Sequence, residues 1–407
     1  MKIQGRRWRR LWCAAAPVAG CFLPLVEMVL CIVSVVILIL TDRQSVKQAM
    51  AMPGAVLFQV FAGFTALCAV LYGNGLGLAV SFAAAALFLW FCWLRSEMNV
   101  RLAEGLCAIM ALGSVISALA TRVDLQSPLS YAVIERFSQL LDRPYEFSLE
   151  ASARSCSTFF HPNYYGYVLA VICLVCLWQL IVNLYRCRQD RRRLALAGGY
   201  FIILILNGLM LPAPQSRTLV VALAAGVAAL LLAWHWIFLP LAAVPGAILA
   251  GVNARRLLQM IPRIGSFLEG LNDRQEIWVA AWSQIRHHPW CGQGFYTYMQ
   301  TWDQWSKKYT VHAHNLMLEM LLSFGIIGSL LLVGAMACSV KEGAAAWLKG
   351  KTRWMPLVLG VLVMTLIHGL TDVVLLSPQT FVLFAAVLSF SALQADAEIV
   401  PGRRKEA

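Results

Sequence analysis

Residues His312 to Gly328 read HAHNLMLEMLLSFGIIG. Two histidines and an asparagine run without a spacer into an apolar segment that continues to Met336, close to the roughly 20 residues needed to cross a bilayer. The rest of the chain repeats this pairing of greasy runs and short polar joints. Its 407 residues are 60% hydrophobic and only 13% charged, with a mean hydropathy of +0.70. That composition excludes a soluble globule of ordinary surface. It points to an all-α, polytopic integral membrane protein, read as one transmembrane domain over 1–407.

Apolar runs occur near Leu23 to Leu40, Ala55 to Tyr72, Leu76 to Leu94, Leu102 to Ala120, Tyr164 to Leu184, Leu194 to Leu211, Leu219 to Trp234, Ile237 to Val252, Leu316 to Met336, Trp354 to Val373 and Gln379 to Leu393. That predicts eleven transmembrane helices, or twelve if Leu11 to Leu40, interrupted by Pro17, Gly20, Pro24 and Glu27, folds as a tight pair. The arginines at positions 6, 7, 9 and 10 mark the start as an uncleaved anchor. Basic residues concentrate in Tyr185 to Arg193, Lys341 to Arg353 and the tail, which places these joints in the cytoplasm. Counting helices then puts Thr121 to Pro162, Leu211 to Arg217 and a larger loop, 253–311, on the extracytoplasmic (periplasmic) side of an inner membrane. Residues 253 to 310 carry seven basic against four acidic residues, a net +3. Positive charge on that side serves something other than orientation. Apolar positions from Ile277 to Ile285 recur at helical spacing, and most of the loop's aromatics are read as packing or interface anchors. Cysteines inside apolar runs, including the CxxC of Cys173 and Cys176, are read as small hydrophobes.

Polar clusters surface on that one face. His161, Pro162 and Asn163 open a helix, where proline suits the first turn, so His161 is either a cap or a ligand. Arg217 stands in Gln-Ser-Arg-Thr between two apolar runs. Arg274 and Trp278 lie in the large loop, ahead of His288-Pro-Trp-Cys-Gly-Gln-Gly294. His312, His314 and Asn315 follow, and His368 and Asp372, four apart on the next apolar run, share a helix face. Ionisable groups at membrane depth are functional candidates.

His314-Asn315, nine residues, then Gly325-x-x-Gly328, preceded by Arg274-x-x-x-Trp278 and the HPxxGxG run, resembles the signature of the O-antigen ligase and polysaccharide polymerase family. The Phe160 to Asn163 element is similar to that family's F-x-N-P-N, with His161 in place of the first asparagine, and a Ser-Arg falls between the corresponding helices. The likeness covers His161 to Asp372. It implies a membrane glycosyltransferase that moves a glycan from an undecaprenyl-diphosphate carrier to an acceptor hydroxyl, on a lipid A core or on a second carrier-linked chain. Under it Arg217 and Arg274 bind the departing diphosphate and His314 accepts the proton of the attacking hydroxyl. His161, Asn163, His312, Asn315, Trp278, His368 and Asp372 are expected to line the substrate. Partners are then the donor, a lipid-linked or saccharide acceptor and membrane lipid, with no nucleic acid.

No cofactor and no metal are expected. The outer segments hold no acidic-x-acidic pair of the kind that grips a hard cation. A transporter or flippase of an anionic glycolipid is the alternative, although such proteins need polar residues near mid-membrane and access from both faces. Cys156 and Cys291, both in outer segments of an oxidising compartment, are expected either to approach each other as a bridge or, the favoured alternative, to be two unrelated thiols.

Overall fold

A computed structural model of the chain describes residues 2–23, 26–122, 154–159, 161–188, 190–235, 267–306 and 310–393. Among them there is no strand. The helices are α1 (Lys2–Gly20), α2 (Val26–Thr41), α3 (Arg43–Met50), α4 (Ala55–Leu71), α5 (Gly75–Glu97), α6 (Val100–Arg122), α7 (Pro162–Arg186), α8 (Arg192–Met210), α9 (Arg217–Trp234), α10 (Phe267–His287), α11 (Thr297–Trp305), α12 (Leu316–Leu348), α13 (Met355–Gly369) and α14 (Pro378–Ser389). Six of these, α5 to α9 and α12, are long and apolar enough to cross a membrane. The pair α3 and α4, bent by 89° at their junction, makes a seventh if counted as one broken span. Shorter apolar helices occupy Val26–Thr41, Met355–Gly369 and Pro378–Ala392. Every expected apolar run is helical over most of its length except Ile237 to Val252, which lies outside the described residues. The N-terminal stretch does divide into two helices, α1 and α2, with Pro17 inside α1 rather than at the break.

The chain folds into two compact units. The first is drawn from 1–34, 99–224 and 374–387, the second from 35–98, 225–373 and 388–407. In the first, α7 is buried along most of its length, with Trp178, Tyr165 and Tyr167 at most 2% exposed. Cys173 and Cys176 are free and buried there, as packing residues. At one end Glu104 of α6 accepts from Arg186 at 3.0 Å and Arg193 at 3.3 Å, tying α6, α7 and α8.

In the second unit α12 packs on α4, and α10 and α11 pack on α12. The periodic residues Ile277, Ala280, Ala281 and Ile285 of α10 close a small core with Tyr298 of α11, Ala313 and Leu322. Phe324 of α12 stacks edge-on with Phe61 of α4 at 4.9 Å and with Phe295 at 4.8 Å.

The feature that sets the site is a break in α12. Gly325 has φ 62° and ψ −171°, a region essentially closed to residues with a Cβ. The break takes the N–H groups of Ile326 and Ile327 out of the helical ladder. They donate instead to the carbonyls of Pro289 and Trp290, at 2.8 and 3.0 Å, while the Gly294 N–H donates to the Ser323 carbonyl at 2.8 Å. The two backbones approach so closely that a Cβ on Gly292 would stand 2.5 Å from the Ser323 carbonyl, and one on Gly325 2.4 Å from that of Trp290. Asn74, between α4 and α5, donates to the carbonyls of Gln293 and Phe295, at 3.1 and 2.9 Å. The HPWCGQG run and the glycine pair of the next motif therefore form one joint, in which the freed N–H groups of Ile326 and Ile327 and the Ser323 carbonyl find backbone partners.

Candidate functional site

Asn315 caps α12: its Oδ1 accepts from the N–H groups of Met317 and Leu318 at 3.0 and 3.1 Å, as an N-cap asparagine should. Its Nδ2 donates to the Leu370 carbonyl at 3.0 Å, tying the cap to the end of α13. In the described structure this residue, expected to bind substrate, is committed to backbone. Just before the cap His314 adopts a left-handed conformation, φ 48°, uncommon for a residue with a side chain. The turn aims its ring at Asp372, which lies beyond the end of α13 rather than on the helix face expected to hold both it and His368. His368 and Asp372 are each about 1% exposed.

Asp372 Oδ1 stands 3.4 Å from His314 Nδ1 and 3.4 Å from His312 Nε2. The two imidazoles meet edge to face with centroids 4.4 Å apart. An ionised carboxylate can only accept, so a ring nitrogen that bonds it must carry the proton; His314 Nδ1 stands beside Asp372 but makes no hydrogen bond among the described residues. For His312 the other side of the ring agrees, because its Nδ1 accepts the His314 backbone N–H at 3.2 Å. For His314 with its proton on Nδ1, the side facing Asp372, Nε2 would hold the free electron pair. That nitrogen faces the Thr310 hydroxyl at 3.1 Å, and the same hydroxyl lies 3.2 Å from the His312 carbonyl. With one proton to give, Thr310 can donate to Nε2 of a neutral His314. It can also turn to the carbonyl and accept from Nε2 once that nitrogen is protonated. The hydroxyl thus satisfies both charge states of the ring.

Arg274 and Trp278 lie one turn apart on α10 and share a face. Arg274 is close enough for its charge to act on His368. The Trp278 indole N–H is enclosed and has no hydrogen-bond partner among the described residues. His288 Nδ1 and the Tyr72 hydroxyl share a hydrogen bond at 3.2 Å. Burial, and then the neighbouring His287, holds its pKa below the usual histidine value.

The remaining expected residues belong to the first unit. His161 is a cap by geometry: its Nδ1 accepts the Asn163 N–H at 3.2 Å, with Pro162 in the first turn of α7. Asn163 Oδ1 is held by Arg154 at 2.5 Å, and the same guanidinium donates through Nε to the Pro214 carbonyl at 2.9 Å. The turn after Pro214, with Gln215 left-handed at φ 46°, leads to Arg217, the first residue of α9. Arg154 stands two residues before the Cys156-Ser157-Thr158 turn, with no motif to mark it in the sequence. No bridge joins Cys156 to Cys291: both thiols are free. Burial pushes the Cys156 thiol up to about 11, which makes it a poor nucleophile at neutral pH.

Among the described residues one group could hold a cation by separation: His312 Nε2, His314 Nδ1 and a carboxylate oxygen of Asp372, all within 4.8 Å. The hydrogen bonding argues against it. A metal on His312 Nε2 would leave the proton on Nδ1, against the His314 N–H that Nδ1 now accepts.

Residues 200–333 match the family model Wzy_C, O-antigen ligase. Over this stretch the chain is similar to the O-antigen ligase family. The O-antigen ligase match contains Arg217, Arg274, Trp278, His312, His314, Asn315 and the glycines of the joint. His161, Asn163, His368 and Asp372 lie outside it. No curated protein matches the chain.

Proposed function

We propose that the chain is a metal-independent membrane glycosyltransferase that moves a glycan from an undecaprenyl-diphosphate carrier to an acceptor hydroxyl, as an O-antigen ligase or a surface-polysaccharide polymerase, at the extracytoplasmic face of the inner membrane. The observation that carries it is the placement of the His314 ring, with Nδ1 3.4 Å from the buried Asp372 carboxylate and Nε2 facing the Thr310 hydroxyl. Asp372 fixes the tautomer and stabilises the imidazolium that forms, the role a carboxylate plays behind other catalytic histidines. His314 Nε2 takes the proton of the acceptor hydroxyl as its oxygen attacks the anomeric carbon. The bond from that carbon to the carrier diphosphate breaks, and the diphosphate leaves with the electron pair. Arg274, presenting a planar fork suited to phosphate, neutralises the leaving group, and the Trp278 N–H is a further donor facing substrate. Arg217 is assigned the same diphosphate on sequence grounds alone. His312, sharing Asp372, steadies the carboxylate.

The test is transfer by purified protein from a labelled carrier-linked oligosaccharide, offered lipid A core or a second carrier-linked chain. Arg217→Ala, Arg274→Ala and His314→Ala are each expected to abolish transfer with insertion unchanged. General-base catalysis alone is worth about 10²–10⁴-fold, so near wild-type rates in all three would end the reading. Activity should survive excess EDTA; a loss restored by Mg²⁺ or Mn²⁺ would remove the metal-independent part.

A further inference from the structure

Glu319 is 1% exposed, sits in the first turn of α12 and belongs to none of the motif positions. Its Oε2 accepts the backbone N–H of Ala313, the residue between the two histidines, at 2.8 Å. Its Oε1 accepts from the Ser323 hydroxyl, also at 2.8 Å. Ser323 in turn supplies the carbonyl that receives Gly294 at the break in α12. One carboxylate therefore connects the histidine loop to the joint between α12 and the HPWCGQG run. Ala313 is fully buried, so bulk water does not reach its N–H and Glu319 is the acceptor that satisfies it. His314, directly after it, is held at a φ that the chain would abandon if its neighbours were free.

We propose that Glu319 is a positioning residue for the base: it fixes the His312-Ala313-His314 backbone so that the His314 ring faces Asp372, and it acts through geometry rather than charge. The proposal rests on His314 being the base. A glutamine can serve the same two partners, since its carbonyl accepts from Ala313 while its amide donates to a Ser323 hydroxyl turned to accept. An alanine serves neither.

The test uses the full-length protein in detergent with the labelled carrier-linked oligosaccharide and acceptor. Displacing a catalytic group by about 1 Å costs on the order of 10²-fold, so Glu319→Ala is expected to lower kcat about 100-fold with the KM for donor little changed. Glu319→Gln is expected to restore most of that kcat. Ser323→Ala, which leaves the Ala313 bond in place, should fall between them and guards against a Glu319→Ala chain that fails to fold. In parallel, carbethoxylation by diethyl pyrocarbonate, mapped to His312 and His314 by mass spectrometry, should speed up in Glu319→Ala and stay at the wild-type rate in Glu319→Gln. Equal loss in the glutamine and alanine variants would show that charge is required and overturn the proposal. So would unchanged carbethoxylation in Glu319→Ala. Full activity of His314→Ala would instead sink the base assignment, while the labelling rates still report whether Glu319 holds the loop.

Discussion

Replacing Gly325 by alanine should unseat the loop on which the histidines depend. At φ 62° and ψ −171° any other residue carries strain of about 1–3 kcal/mol. The added Cβ would stand 2.4 Å from the Trp290 carbonyl and 2.5 Å from the Cys291 nitrogen, backbone atoms with no rotamer to escape into. The HPWCGQG run must lift, and the bonds from Ile326 and Ile327 to the Pro289 and Trp290 carbonyls go with it, at about 1 kcal/mol each. Together these make a loss of roughly 3–5 kcal/mol. Gly334, further along the same helix, is the control, because a Cβ there meets nothing nearer than Leu57 Cδ1 at 3.9 Å. The same substitution should then be neutral or gain up to about 1 kcal/mol from helix propensity. Tryptophan fluorescence melts in detergent read the difference. At roughly 2 °C per kcal/mol for a large chain, Gly325→Ala should melt about 6–10 °C below wild type and transfer poorly, with Gly334→Ala at or above wild type. A Gly325→Ala protein that melts with wild type would show that the joint does not hold the loop.

Asp372→Asn should cost about 10²-fold or more in kcat, and the double variant with His314→Ala should be no worse than the poorer single, because groups acting as a unit are not additive; additive losses would separate the two residues. Arg274→Lys and Arg217→Lys should be nearly as damaging as alanine, since a point charge lacks the bidentate fork, and lysine variants with wild-type kcat/KM would remove the diphosphate assignment. His288 has a lowered pKa, so folding favours its neutral ring; its contribution is intact above the ordinary histidine value of about 6.5 and is lost as pH falls through the lower folded value. Hydrogen exchange of the 289–294 amides should therefore quicken on acidification, and that dependence should vanish in His288→Asn; an unchanged profile in the variant would place the titration elsewhere.

Much of this protein was legible in local pattern. Apolar runs of spanning length announce helices because a bilayer leaves the backbone no partner but itself. The i, i+4 spacing of Arg274 and Trp278, the proline after His161 and the asparagine before Leu316 are short-range signals, and each appears where it was read. The same signals left some roles open: His161, readable as a cap or a ligand, caps α7, and Asn315 caps α12, because a side chain that can bind a substrate can equally bind the N–H groups of its own helix. The glycines of the two motifs could be noticed but not explained until α12 broke at Gly325 and brought Ser323 against Gly292. What tertiary structure alone decided is which distant groups meet: Asp372 between two imidazoles, Glu319 on the Ala313 N–H, Arg154 on Asn163. Those meetings depend on the path of the backbone between them, fixed by the packing of α10, α12 and α13 in one unit and of α7 and the Ala213–Gln215 turn in the other, and no spacing along the chain encodes them.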